Sequence, residues 1–156
     1  MMIEKKNLNR EQTKEKALRL LEFRNHSSEE LRRKLRIAGS NEEDIDYMIE
    51  FCNEYHLIND REYAKFLAKD LSNLKKFGRR RIVQELRSKG ISGEDIEYAL
   101  EDIEDDTDEL ERLVEKKLKG DFEKKSRDRA IRYFIYRGYE ASDIIETIER
   151  LMTDEF

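Results

Sequence analysis

Apolar side chains along this chain recur with a helical period, and they do so three times in the same setting. Gly39, Gly90 and Gly138 are each followed, five and six positions later, by an Asp-Ile pair: Asp44-Ile45, Asp95-Ile96 and Asp143-Ile144. The glycines are 51 and 48 residues apart. From each isoleucine, apolar or small residues continue at i+3, i+4 and i+7: Met48, Ile49, Cys52; Ala99, Leu100, Ile103; Thr147, Ile148, Leu151. That spacing marks one face of an α-helix. Eight and four residues before each glycine stand Leu31 and Leu35, Ile82 and Leu86, Ala130 and Phe134. They predict a second helix, which each glycine ends in a left-handed conformation. A first helix completes each group, through Ala17, Leu20, Leu21; Ala64, Leu67, Ala68; and Leu110, Leu113, Val114, Leu118.

Start signals fit the same plan. Ser27-Ser28-Glu29-Glu30 reads as a capping box, and Asn59-Asp60-Arg61-Glu62 as a similar opening. Asn41 and Ser92 are placed to cap, each with an aspartate three positions on, and the third copy has Glu140 with Ser142 nearby. Gly78 stands where Ser27 stands one repeat earlier. The expected fold is all-α: a polar tail over 1–9, then three-helix repeats over 10–59, 60–108 and 109–156. Groups this small bury little alone, so the three tandem repeats are expected to stack into an elongated, curved array. Three independent mini-bundles on short tethers are the alternative.

Composition adds to this in two ways. Charged residues are 44% of the chain, hydrophobic residues 37%, and proline is absent, which favours helices with much surface and few breakers. Cys52, the single cysteine, can form no internal disulfide and falls on a core stripe. The apolar runs fall far short of the roughly 18 residues of a membrane span, and the first sixteen residues lack the apolar core of a signal peptide. A cytoplasmic monomer that makes no membrane contact is expected.

The formal charge of −5 conceals blocks of opposite sign. From Lys75 to Lys89 seven basic residues face only Glu85; residues 101–111 hold eight acids and no base; from Lys116 to Arg137 nine bases outweigh three acids. Arg79-Arg80-Arg81 opens a predicted helix, where the helix dipole disfavours cations. An anionic partner would relieve that cost. The candidate contact residues are Arg32, Arg33, Lys75, Lys76, Arg79, Arg80, Arg81, Arg87, Lys89, Arg127, Arg129, Arg132 and Arg137. Acids on the third helices (Glu42, Glu43, Asp44, Asp46; Glu94, Asp95, Glu97) suggest a basic side and an acidic side. Neutralisation between neighbouring helices is the alternative. A catalytic set is lacking: His26 and His56 read as turn or cap residues, and there is no zinc set, phosphate loop or nucleophile elbow. The acidic run at 101–109 lacks the calcium-loop pattern and reads as a solvated helix end. No enzyme activity, cofactor or metal is expected.

Taken in order, these residues resemble the RecX regulatory proteins, which modulate the RecA recombinase. The likeness covers about residues 17–151. It rests on Ala17 to Arg24 with Ser27 and Glu30 to Leu35; Leu57-Ile58-Asn59-Asp60 with Tyr63-Ala64; Gly78 to Ile82 with Gln84-Glu85-Leu86 and Lys89-Gly90-Ile91; and Arg137-Gly138-Tyr139. The chain departs from the family pattern at Arg79, where proline is common, and at His56, where glycine is common. The resemblance implies three three-helix repeats lying along a RecA–DNA filament, restraining filament growth, strand exchange and co-protease activity. Single- or double-stranded DNA would be bound weakly by the protein alone. Two other readings stay open: a direct DNA-binding helical protein, and a helical-repeat adaptor for an unrelated partner.

Overall fold

The computed structural model describes residues 7–105 and 107–154, and the regular structure among them is entirely helical. Residues 1–6 of the expected polar tail, Asp106 of the acidic run and residues 155–156 of the third group lie outside the described residues. Nine helices follow one another among the described residues: α1 (Arg10–Phe23), α2 (Ser28–Ala38), α3 (Glu42–Glu54), α4 (Asp60–Asn73), α5 (Arg79–Ser88), α6 (Gly93–Leu100), α7 (Thr107–Leu118), α8 (Lys124–Tyr136) and α9 (Ala141–Asp154).

Side-chain caps set several of the starts. Ser27 Oγ accepts from the Glu30 N–H at 3.1 Å, and the Glu30 carboxylate accepts from the Ser27 N–H at 3.2 Å, closing the capping box of α2. Asn41, Asn59 and Ser92 accept from the N–H three residues on, at 2.8, 3.2 and 3.2 Å. Each such bond is worth about 1 kcal/mol of helix stability. Asn9 and Gln12 form a second box that opens α1, with apolar Leu8 just before it. Gly39, Gly90 and Gly138 take φ of 105°, 74° and 102°, and His56 is left-handed at 56°.

One helix is shorter than its stripe. The apolar positions of α6 run to Ile103, but the helix stops at Leu100. Glu101, Asp102, Glu104 and Asp105 crowd its C-terminal end, where the helix already carries partial negative charge. Ile103 is buried all the same, from a turn in which its N–H donates to the Leu100 carbonyl at 3.0 Å.

The described residues fall into two compact units. One takes in the chain through Leu67 together with Leu86–Ala99, the other Ala68–Glu85 together with the chain from Leu100 onward. In the first, Ala17, Leu31, Leu35, Ile45, Met48, Ile49, Cys52 and Ile58 form the core. Burial pushes the Cys52 thiol pKa up, which leaves it a small apolar filler. In the second, Leu110, Val114, Leu118, Ala130, Phe134, Ile144, Ile148 and Leu151 do the same. Each large aliphatic side chain buried this way contributes roughly 1.5–3 kcal/mol. His26 is also buried, in the turn between α1 and α2, with Nδ1 2.9 Å from the Arg24 carbonyl and Nε2 2.9 Å from Lys34 Nζ. An ammonium only donates, so Nε2 accepts from Lys34 and the ring proton sits on Nδ1, facing the carbonyl.

Candidate functional site

The first turns of α2 and α5 carry the sequence's most distinctive blocks, and both dock on a glycine turn that ends another helix. In the first unit Ser27 Oγ donates to the Lys89 carbonyl at 2.5 Å, and Arg33 donates to the Ser88 carbonyl at 2.9 Å. A Cβ on Gly90 would collide with the Glu29 side chain. In the second unit the Gly78 N–H donates to the Arg137 carbonyl at 2.8 Å, and the Arg80 N–H to the Gly138 carbonyl at 3.2 Å. A Cβ on Gly78 would collide with the Gly138 carbonyl, so this glycine is required by close approach rather than by its φ.

Opposite charges in the first unit face each other instead of segregating. Arg32 pairs with Asp46 at 2.5 Å, and Arg36 holds both oxygens of Glu42, at 2.6 and 3.1 Å, so cations of α2 meet acids of α3. The expected split into a basic side and an acidic side does not hold for these residues. Arg33 lies 3.5 Å from Glu29 on its own helix. Arg61 reaches Asp95 at 3.2 Å and Glu94 at 3.4 Å.

Buried Glu30 accepts from Arg24 at 2.8 Å and lies 3.7 Å from Lys89 Nζ. Burial pushes its carboxyl up, but hydrogen bonds from Arg24, the Ser27 N–H and Tyr63, together with the Lys89 charge, overcome this and hold it at about 2. Tyr63, half-buried beside that carboxylate, is raised to about 12, first by burial and then by its hydrogen bond to Glu30. The ring of His26 is shifted down, first by burial and then by the charges of Arg24 and Lys34, against the bond to the Arg24 carbonyl.

In the second unit each member of the arginine triplet has an acceptor. Arg79 donates to the Ile103 carbonyl at 3.0 Å and lies 3.6 Å from Asp105. Arg80 pairs with Glu140 at 2.9 Å, and Arg81 with Glu85 at 3.0 Å. Arg81 also donates to the Tyr136 carbonyl and stacks on Phe77 and Tyr136, 4.8 and 4.9 Å from the ring centroids. Arg137 stacks on Phe77 and donates to the Lys75 carbonyl, while Tyr139 Oη donates to the Lys76 carbonyl at 2.8 Å. Lys76 Nζ lies 3.2 Å from Glu109. Arg127 is half-buried on the inner side of α8.

These contacts sort the sequence candidates. Arg81 and Arg137 are held by carbonyls and rings, and Arg32, Arg33, Lys76, Arg79, Arg80 and Lys89 each lie against a carboxylate. Lys75, Arg87, Arg129 and Arg132 are exposed and make no ion pair among the described residues. Sequence reasoning passed over Tyr133 and Tyr136, which stand on the same outer face of α8 as Arg129 and Arg132; their spacing of three and four was the available signal. A cleft of about 290 Å³ opens beside Gly78, Arg79, Asp105, Glu140 and Asp143. Among the described residues no group of His, Cys, Asp or Glu is arranged to hold a metal, and no helix is long and apolar enough to cross a membrane.

Family models match two segments of the chain: one described as RecX, first three-helix domain, over residues 14–52, and one described as RecX, second three-helix domain, over residues 59–100. The chain is 38% identical over 135 residues to a regulatory protein RecX of Vibrio parahaemolyticus, covering 85% of this chain and 86% of the relative. It is 36% identical over 146 residues to one of Cronobacter sakazakii, covering 83% of this chain and 86% of that relative. Among solved structures, the crystal structure of RecX from Lactobacillus salivarius superposes with a TM-score of 0.79 at 23% identity, over 92% of this chain and 97% of that one.

Proposed function

The chain belongs to the RecX family of regulatory proteins, and from that membership we propose that it binds the RecA–DNA filament and restrains its recombinase, ATPase and co-protease activities during recombination and SOS repair. The observation that carries this reading is the identity of 38% to a regulatory protein RecX, spread over 86% of that relative. It acts as a binding protein in the cytoplasm, as a monomer, without cofactor or bond-making chemistry.

Exposed Lys75, Arg87, Arg129 and Arg132 offer the most available cations for DNA phosphates or acidic protein surface. Arg80 joins them by exchanging Glu140 for an external anion, since its side chain is 67% exposed. The three-helix groups over 10–59, 60–108 and 109–156 each supply contacts, and weak contacts add through multivalency.

The test is RecA-catalysed, DNA-dependent ATP hydrolysis with this protein at substoichiometric amounts. A fall in rate supports the reading. An unchanged rate with folded protein overturns it and favours an adaptor for another partner. Direct DNA binding, the second reading, rests on the exposed arginines of α8. It requires tight binding to naked duplex with a salt slope near −0.9 per phosphate neutralised.

A further inference from the structure

The outer face of α8 departs from the usual chemistry of a solvated helix. Lys125, Arg129, Arg132, Tyr133 and Tyr136 fall at i, i+4, i+7, i+8 and i+11, on one stripe opposite buried Ala130 and Phe134. All five are exposed, Tyr136 to 71% and Tyr133 to 39%. Asp128, the acid of this helix, flanks the stripe, three residues after Lys125 and four before Arg132. Cations also stand over the rings: Arg81 lies 4.9 Å from the Tyr136 centroid, and Lys117 Nζ and Arg137 lie 4.0 and 5.5 Å from that of Tyr133. Arg81 is itself fixed by Glu85 and the Tyr136 carbonyl, so it holds the Tyr136 ring in place through one face.

We propose that this stripe of α8 binds single-stranded nucleic acid, with unpaired bases stacking on Tyr136 and Tyr133 and phosphates meeting Arg129, Arg132 and Lys125. Exposed aromatic rings interleaved with cations are the arrangement that stacks bases while tracking a backbone. A duplex would use the cations alone, because its bases are already stacked and out of reach of the rings. An acidic protein surface would meet the cations, but nothing in it would need two rings spaced one helical turn apart. The inference refines the filament reading by naming the nucleic-acid form that the third group contacts. It can nevertheless stand or fall separately.

The experiment measures fluorescence anisotropy of a labelled oligothymidylate of roughly 16 nucleotides, comparable to the sites of single-strand-binding folds. It uses the full chain and its Tyr136→Ala, Tyr133→Ala and Tyr136→Phe variants, with circular dichroism as the folding control. Tyr136→Ala is expected to weaken binding about tenfold, Tyr136→Phe to retain it, and an abasic strand, which loses the stacks on both rings, to bind the parent more weakly than thymidylate binds Tyr136→Ala. Duplex binding is expected to be the same for all of them. Equal losses on single strand and duplex would overturn the proposal, as would unchanged binding by Tyr136→Ala. A loss of RecA inhibition by Tyr136→Ala without a loss of oligonucleotide binding would assign the stripe to a protein partner and also overturn it. If the parent fails to slow RecA yet binds single strands through Tyr136, the filament reading falls and this inference stands.

Discussion

The Ser27 hydroxyl reaches the Lys89 carbonyl at 2.5 Å, sixty-two positions away along the chain, and so ties the start of α2 to the end of α5. The start of α5 is tied to the end of α8 in the same sense, but there a backbone donor serves: the Gly78 N–H points at the Arg137 carbonyl at 2.8 Å. Both bonds sit at helix N-termini, where N–H groups lack intrahelical partners. Ser27 has a side chain to spend on both capping and docking. Gly78 has none, and its backbone comes closer.

Replacing Gly78 by alanine is therefore expected to destabilise the protein by roughly 2–4 kcal/mol, because a methyl group would overlap the Gly138 carbonyl. Ser27→Ala removes a cap and a docking bond and is expected to cost about 1–2 kcal/mol. Urea denaturation followed by circular dichroism measures both. A Gly78→Ala midpoint equal to the parent's would show that the two turns can separate at little cost.

Glu30 gives the protein an acid limit. Its native carboxyl lies at about 2, below its unfolded value, so the unfolded chain takes up the proton first. The stabilisation is complete above about pH 4.5 and is lost as pH falls toward 2. Thermal midpoints across this range should fall more steeply for the parent than for Glu30→Gln, which starts lower. Parallel curves would remove Glu30 as the cause.

A second limb lies at milder pH. Burial lowers the pKa of His26, so its ring is neutral in the fold and gains a proton more readily once unfolded. Its contribution is full above the unfolded value of about 6.5 and declines as pH drops below it. Protonation would also set a charged ring against Lys34. The parent's midpoint is expected to fall as pH drops below about 6.5, and His26→Gln to lack that step. A titration of the ring by NMR at or above 6.5 would contradict this.

The arginines are expected to separate into two kinds. Charge reversal at Arg79, Arg80, Arg81 and Arg87 together should abolish RecA inhibition, but Arg81 stacks on Phe77 and Tyr136 and its loss disturbs the second unit. Reversal of exposed Arg80 and Arg87 alone is the cleaner test and should weaken inhibition by about tenfold or more at an unchanged melting temperature. Arg81→Ala should lower that temperature instead. Full inhibition by the Arg80, Arg87 double reversal would remove those residues from the interface.

Much of the fold was legible because its signals are local. The stripes through Ile45, Ile96 and Ile144, the left-handed glycines and the Ser27 box all depend on residues a few positions apart. The end of α6 at Leu100 was less visible, since its apolar stripe continues to Ile103 while the charge that halts the helix is a sum over several acids. The candidate contacts were legible as residue types but not as free or occupied groups. Arg80 and Glu140 are sixty positions apart, and no periodicity announces their pairing. Nor could spacing alone show that Tyr136 faces outward beneath a guanidinium supplied by α5.

The two glycine-turn joints have one further consequence. A serine at 78 would carry a Cβ into the Gly138 carbonyl, and a glycine at 27 would forfeit the hydroxyl that reaches Lys89. One joint would thus lose a bond and the other would gain a clash, so the two are not interchangeable although the helices around them are built to one pattern.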